Sequence, residues 1–437
     1  MVANSIVDAP AGERSQRGAS VGKYSMGNAP IAAGSTGIYI SIPFCRAKCS
    51  YCNFASGVFA ESRMQAYVDK LCEEIAAAPA RAMAMEALLP VNVGSIYFGG
   101  GTPTLLAPLQ LRQIFTAIRE KFRVQSGAEI TVECAPGQLA DAVLEELLHQ
   151  GTNRISFGVQ SFVDAEAATV GRTHTAAIAL AEVARVRGAG VPAVNVDLIA
   201  GLPHQTEDSW RYSLETAVGS GAGHVSVYML EVDEDSRLGR EVLAGGVRYH
   251  AHFVPDDEHT ADLYLAACEY LDAAGVRQYE ISNFARKGAE SQHNLRYWLR
   301  QPYIGFGLDA HSMLSRSDAA MQAVRFANTD DLDRYIGGEG ALALLAETRK
   351  PELVSRHAAL EETIFLGLRL NIGLDTQRLQ AEFTAEMQTG AAELEAQARE
   401  LAAEGLLQRE GTVLRLSSRG RLLSNEVFAR LLDAVPV

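Results

Sequence analysis

The sequence has few cysteines, no long apolar run and no excess of positive charge, and each deficit excludes a class of protein. Six cysteines in 437 residues are too few for a secreted fold held together by disulfides. No apolar run approaches the ~20 residues that a membrane-spanning helix needs, so we expect a soluble protein without a membrane span. A net charge of −14 argues against nucleic acid as a partner.

The succession of short apolar runs predicts the fold class. At about 150 residues per domain, the length suggests two or three structural units. From residue 37 onward, β-rich runs alternate with amphipathic helical stretches, which predicts an α/β fold with a parallel sheet. The six runs are IYISI (38–42), SIYF (95–98), EITVE (129–133), RISFGV (154–159), AVNVDLI (193–199) and HVSVYML (224–230).

Composition and rhythm divide the chain into four parts. Residues 1–36 lack apolar periodicity and the marks of a signal or transit peptide, so we predict a flexible tail. Residues 37–240 hold the alternating strands and helices. Residues 241–345 interrupt this alternation, and we predict a cap or edge extension there. Residues 346–437 predict a helical, winged-helix-like domain. Its last part has no excess of Arg and Lys over Asp and Glu, so DNA reading is not supported.

The densest chemistry lies in PFCRAKCSYCNF, residues 43–54, directly after the first predicted strand. Cys45, Cys49 and Cys52 form a C-x3-C-x2-C pattern, and Phe54 stands where a fourth thiol would follow. Cysteine thiolates hold iron–sulfur clusters, and three ligands on a cubane of four irons leave one iron open. Structural zinc is the alternative, although zinc takes four protein ligands. The isolated thiols are expected to be packed residues: Cys72, Cys134 and Cys268.

Loops that follow parallel strands meet at one edge of the sheet. After the cysteine loop, the later loops read GGGTPT (99–104), ECAPG (133–137), GVQSF (158–162) and DLIAGLPHQT (197–206). Consecutive glycines allow a ligand to approach the backbone closely. We therefore expect a binding site at this edge.

The cysteine spacing and the GGGTP stretch together resemble the radical S-adenosylmethionine (SAM) superfamily. The resemblance implies a partial (β/α)6 barrel and a [4Fe-4S] cluster whose open iron binds the amino and carboxylate groups of SAM. In that superfamily an electron from the cluster cleaves SAM to methionine and a 5′-deoxyadenosyl radical. An electron donor such as a flavodoxin or ferredoxin is then an implied partner, and clustered free thiols favour a reducing cytoplasm.

Over residues 37–430 the chain is similar to the oxygen-independent coproporphyrinogen III oxidase group, whose opening Y-x-H-I-P-F-C resembles YISIPFC. The chain departs from the group's pattern at Ser41 and Ala135, neither of which is a cluster ligand. The resemblance implies SAM contacts at Tyr39, Tyr51, Gly100, Gly101, Thr102 and Glu133. It also places Gln160, Arg172 and Asp197 where the oxidase holds a second SAM.

Two features favour the HemW family of haem chaperones over the oxidase itself. The oxidase has a further cysteine where Phe54 stands, and HNLRYW (293–298) matches the H-N-x-x-Y-W signature of HemW. The resemblance implies haem as a ligand, His293 as the suspected haem contact and a haem-acceptor protein as a partner. A hydrogen-bonded structural histidine is the alternative for His293. Tyr297 and Trp298 could stack on a porphyrin or pack a domain junction, and His311 is a second haem candidate.

The sequence thus predicts a cytoplasmic radical SAM protein that binds haem and carries it to an acceptor. The alternative function is the oxidase reaction of haem biosynthesis, in which two decarboxylations convert coproporphyrinogen III to protoporphyrinogen IX. The third candidate function is that of a structural scaffold that binds zinc. The sequence leaves open whether SAM is cleaved productively.

Overall fold

A computed structural model describes residues 34–318, 320–338 and 351–435. The predicted tail lies outside the described residues except at its last three positions. The strands are, in chain order, β1 (Thr36–Ile42), β2 (Ala87–Leu88), β3 (Asn92–Gly100), β4 (Arg123–Cys134), β5 (Arg154–Gln160), β6 (Ala193–Ala200), β7 (His224–Met229), β8 (Arg277–Gln278), β9 (Asn283–Ala285), β10 (Tyr303–Phe306), β11 (His311–Arg316), β12 (Met321–Ala327), β13 (Glu352–Ser355), β14 (Leu374–Asp375), β15 (Leu407–Glu410) and β16 (Val413–Leu416).

Helices cover the sheet and form the C-terminal region. In chain order they are α1 (Ser62–Ala84), α2 (Pro108–Lys121), α3 (Asp141–His149), α4 (Asp164–Thr169), α5 (Ala176–Gly188), α6 (Glu207–Gly219), α7 (Arg237–Leu243), α8 (Asp257–Ala273), α9 (Gln292–Trp298), α10 (Leu332–Gly337), α11 (Arg356–Arg369), α12 (Thr376–Glu382), α13 (Met387–Ala403), α14 (Ser418–Leu422) and α15 (Ser424–Asp433). Within the described ranges, none of these helices combines the length and the apolar character required to pass through a bilayer.

The large sheet confirms the predicted parallel α/β architecture. Strands β1, β3, β4, β5, β6 and β7 pair in parallel in that order, and β10 adds a further parallel strand beside β1. Antiparallel β11, β12 and β13 continue past β10 as the predicted edge extension. Among the described strands, the outermost β13 and β8 do not pair with each other, so the barrel is open.

Side chains of the parallel strands alternate between an apolar and a polar face, as the two-residue period of a strand requires. On β3, Ile96 and Phe98 lie in the core beneath the helices, whereas Tyr97 lines a small internal cavity and Ser95 contacts His293. That cavity measures about 40 Å³ and is bordered by polar residues from β4 to β7. Its size admits a water or two but no cofactor.

The C-terminal region has a core of its own and confirms the helical, winged-helix-like prediction. Strands β14, β16 and β15 form a three-stranded sheet, and α11 to α15 pack around it. Leu360, Leu401 and Val427 are fully buried in this second core. The domain boundaries near residues 240 and 345 stay predictions, and residue 345 lies outside the described residues.

Candidate functional site

The cysteine loop leaves β1 and returns to its own starting point. The Cys45 N–H donates to the carbonyl of Gly57 and the Gly57 N–H donates to Pro43, each at 2.9 Å. The glycine loop after β3 is tied to the same segment, because the Thr102 N–H donates to the Phe44 carbonyl at 2.8 Å. Backbone hydrogen bonds therefore fix the two predicted loops against each other.

The three clustered cysteines carry free thiols and lie within one electrostatic environment. Burial raises the pKa of the Cys45 thiol, and the neighbouring Cys52 and Cys49 add to that rise. Phe54, at the position of the oxidase's further cysteine, is 63% exposed. In the part of the chain that the structure describes, no three His, Cys, Asp or Glu side chains are arranged to hold a metal ion. The fit to a cluster therefore rests on the donor type and on the spacing of this loop.

The backbone of the glycine loop borders a space that side chains at these positions would fill. We call this space and the loop around it the glycine cradle. A Cβ on Gly101 would lie 2.7 Å from the carbonyl oxygens of Ile42 and Phe44 and 3.0 Å from the Cys45 Sγ. Gly100 has a φ of +98°, a conformation that L side chains rarely adopt. The buried Thr102 follows directly. These positions fit the close backbone approach that the resemblance implies for SAM.

Glu133 brings a carboxylate to the same cradle. It accepts a hydrogen bond from the Tyr97 hydroxyl at 2.7 Å, and the Tyr39 ring lies near Tyr97 with centroids 6.1 Å apart. Burial raises the pKa of Glu133 to about 7, and the charge of Asp197 adds to this. None of the ion pairs among the described residues includes Glu133. A desolvated carboxylate without a cation fits the ammonium group of an amino-acid ligand.

We expect Glu133→Gln to stabilise the SAM-free protein at pH 8 and to weaken SAM binding. A carboxylate whose pKa is raised on folding loses stability as pH rises from its unfolded value, near 4.5, to about 7. The amide removes that loss of unfolding free energy, which amounts to about 3 kcal/mol at pH 8 and to about 1 kcal/mol at pH 5. Thermal unfolding at both pH values and equilibrium dialysis with SAM measure the two effects. The exposed Glu145→Gln is the matched control, and an equal shift in both variants would contradict the prediction.

Gln160, Arg172 and Asp197 meet beside the cysteine loop from three separate segments. Arg172 donates to the Cys49 Sγ at 3.5 Å and to the Gly158 carbonyl. Asp197 accepts from Ser156 and Asn195, and burial raises its pKa. Gln160 has a φ of +73°, and its side-chain oxygen is buried without a hydrogen-bond partner, as is the Nε of Arg172. Such orphaned polar atoms fit a ligand at this position.

Tyr51, on the cysteine loop, packs against an apolar cluster and is also in electrostatic contact with Cys49 and Arg172. This outer cluster contains Ile199, Leu202, Leu238 and Ala251. The structure thus brings the predicted SAM residues together at one sheet edge, and Tyr51 contacts both the apolar cluster and the Cys49–Arg172 pair. Sequence reasoning missed Tyr97, whose only local signal is its position two residues before the glycines.

His293 lies close to the Tyr97 ring, with centroids 5.2 Å apart, and the Tyr97 hydroxyl in turn donates to Glu133. His293 lies in the first turn of α9 and contacts Ser95 and Glu129, which pair with each other and precede the cradle residues on β3 and β4. Its Nδ1 is 3.0 Å from the Ser95 Oγ and its Nε2 is 2.9 Å from the Tyr297 hydroxyl. Burial lowers the pKa of His293 to about 3, so the ring is neutral. Haem ligation by His293 stays a prediction that requires one ring nitrogen to leave its partner.

Trp298 and His311, the other haem candidates, have different surroundings. Trp298 lies under the Arg369 guanidinium, 4.4 Å from the ring centroid, at the junction with α11. Its indole nitrogen is buried without a partner. His311 is largely exposed and 3.9 Å from Asp309. Trp298 therefore packs at the junction between α9 and α11.

Comparison with known proteins gives the same family assignment over most of the chain. Residues 39–217 match the radical SAM superfamily and residues 354–423 match the HemN C-terminal domain. A protein named heme chaperone HemW from Lactococcus lactis is 31% identical over 394 residues, which cover 90% of this chain and 96% of the relative. Its namesake from Bacillus subtilis is 32% identical over 399 residues, covering 90% and 98%.

A solved structure supports the fold. The coproporphyrinogen III oxidase HemN of Escherichia coli, described as a radical SAM enzyme, has a TM-score of 0.76 and 23% identity, covering 94% of this chain and 91% of that one. At this identity the match shows a common architecture. With the full-length relatives above 30% identity, it leads to one conclusion: this chain belongs to the radical SAM superfamily, in the HemN-like group and within the HemW family.

Proposed function

We propose that this chain is a haem chaperone of the HemW type, which binds a [4Fe-4S] cluster, SAM and haem and passes haem to an acceptor protein. The observation that carries the proposal is the loop of three thiols, with Phe54 in the fourth position, held against a glycine cradle. The names of the full-length relatives support the haem part. The free thiols of the loop suit a reducing compartment, so we propose a cytoplasmic location.

Each part of the site has a proposed role. Cys45, Cys49 and Cys52 would hold the cluster, which when bound would supply an electron to the SAM sulfonium. The backbone of Gly100, Gly101 and Thr102 would receive the methionine end of SAM, and Glu133 would pair with its ammonium group. Tyr39 borders this position through Tyr97. Tyr51, Gln160, Arg172 and Asp197 would complete the cosubstrate side of the site.

Arg172 links the cluster to the cosubstrate side. Its guanidinium lies between the Cys49 sulfur and the carbonyl of Gly158, and it is in electrostatic contact with Asp197. A cation there offsets the negative charge of thiolates that burial disfavours. An electron donor such as a flavodoxin or ferredoxin would be needed to reduce the bound cluster.

Anaerobic reconstitution followed by two assays on one sample tests the function. We expect iron and labile sulfide, a haem-dependent Soret band with saturable binding, and no protoporphyrinogen IX from coproporphyrinogen III, SAM and a reductant. Formation of that product would support the oxidase reaction instead. Zinc without iron would indicate the structural scaffold, and absence of haem binding by the intact protein would refute the chaperone.

A further inference from the structure

A solvent-exposed group of histidine and aromatic side chains lies on the side of the fold that carries α7. We call it the outer histidine surface and define it by His204, His250, His252, Phe253, Leu243 and Val247. His204 follows β6, and the other residues come from α7 and the turn segment after it. The three histidines are exposed, and so are Leu243 at 64%, Val247 at 68% and Phe253 at 48%.

The rings of His250, His204, Phe253 and His252 contact one another in sequence. The His204 Nε2 is 3.2 Å from the His250 Nδ1, and the Phe253 ring lies 3.9 Å from His204 and 4.0 Å from His252 between centroids. The His204 N–H donates to the Phe253 carbonyl at 3.1 Å, which fixes the two segments together. Among the described residues, the remaining nitrogens of His204 and His250 have no hydrogen-bond partner. These nitrogens are therefore accessible donors.

The backbone holds these side chains in unusual conformations. His204, Tyr249 and His250 have φ values of +67°, +55° and +59°. Non-glycine residues rarely adopt positive φ, and such residues concentrate at binding and catalytic sites. Of the seven in the described chain, two belong to this surface, Tyr249 directly precedes one of them, and another is Gln160 of the cofactor site.

The surface is joined to the cysteine loop by α7 and by shared packing. The Leu238 N–H donates to the Ser50 carbonyl at 2.8 Å. Ala251, between two of the histidines, packs in the same apolar cluster as Tyr51. A ligand on this surface would thus share a small core with the loop that carries the thiols.

Resting on the function proposed above, we propose that haem binds at the outer histidine surface, with its iron on the imidazole of His204 or His250. Neutral imidazole is a haem-iron ligand, and the exposed Phe253 ring beside His204 suits a porphyrin face, with the exposed Leu243 and Val247 on the same chain segment. Arg240 and Arg248 are exposed on the same chain segment and would supply cations for the propionates. His293 offers no accessible nitrogen, because its ring is buried and both its nitrogens are engaged by Ser95 and Tyr297.

The test is a titration of the anaerobically reconstituted full chain with ferric haem, followed by optical and electron paramagnetic resonance spectroscopy. For the double variant His204→Ala/His250→Ala we expect haem affinity to fall by about tenfold or more, equivalent to 1.4 kcal/mol. The resonance signal of nitrogen-ligated ferric haem should disappear while iron–sulfur content stays unchanged. Phe253→Ala should weaken binding and keep the signal type.

Matched variants make the outcome decisive. His149→Ala removes an exposed histidine at the end of α3, and we expect it to bind haem as the wild type does. His293→Ala should also keep the haem signal. Wild-type affinity in the double variant, or loss of haem from His293→Ala alone, overturns the inference and leaves the chaperone function standing. If the double variant loses its cluster, His204→Gln and His250→Gln replace it under the same criteria, and failure of the wild type to bind haem refutes both proposals.

Discussion

Cys49→Ser is expected to abolish the cluster and, with it, SAM binding. Cys49 is buried, receives a hydrogen bond from Arg172 and supplies one of only three thiols in the loop. Loss of outer partners of a metal ligand already costs about 10- to 100-fold in affinity, so loss of a direct ligand should cost at least as much. Iron and labile-sulfide analysis after anaerobic reconstitution measures the first effect, and equilibrium dialysis with SAM measures the second.

Cys72→Ser is the control for this experiment. Cys72 is a half-buried residue of α1, and burial raises the pKa of its thiol to about 11, so it stays protonated. We expect wild-type iron content and SAM affinity. The cluster assignment would be wrong if the two variants lost iron equally, or if Cys49→Ser retained it.

Gly101→Ala is expected to displace the cysteine loop. The added methyl group would lie 2.7 Å from two backbone carbonyls and 3.0 Å from the Cys45 Sγ, and backbone cannot move aside as a flexible side chain can. Over-packing of this kind costs roughly 1–3 kcal/mol in unfolding free energy. We also expect SAM binding to be lost, because the methyl group occupies the cradle. Urea unfolding and SAM dialysis measure the two effects separately.

Gly188→Ala tests whether the loss of stability and of SAM binding is specific to position 101 or follows any glycine-to-alanine substitution. Gly188 ends α5, and a methyl group added there would meet no atom within 4 Å, so the change should raise stability by up to about 1 kcal/mol. SAM binding should be unaffected. Equal loss of SAM binding in the two variants would contradict the proposal that SAM binds at the glycine cradle.

Local sequence patterns were sufficient to predict the parallel sheet and the cysteine loop. The six predicted strands depend on short apolar runs between turns, and the cluster ligands lie within eight residues of one another. Gly101 could be predicted because three consecutive glycines follow a strand. Each of these features is encoded over a few neighbouring residues, where alternation and spacing directly constrain the backbone.

The features missed by the sequence depend on residues far apart in the chain. Strand β10 pairs with β1 although more than 250 residues separate them, and its four residues carry too little pattern to predict a parallel strand. The raised pKa of Glu133 needs the burial that β3 and its neighbours provide. The meeting of Arg172 with Cys49 likewise requires the sheet to bring distant loops to one edge.

The sequence by itself determined which residues can bind a cluster and which family the chain resembles, because ligand type and spacing are local properties. Only the tertiary structure decided that the His293 ring is enclosed by Ser95 and Tyr297 while His204 and His250 meet in solvent. A histidine's availability depends on what packs around both of its nitrogens. That packing is set by the folding of distant segments onto one another, which a motif of six residues does not encode.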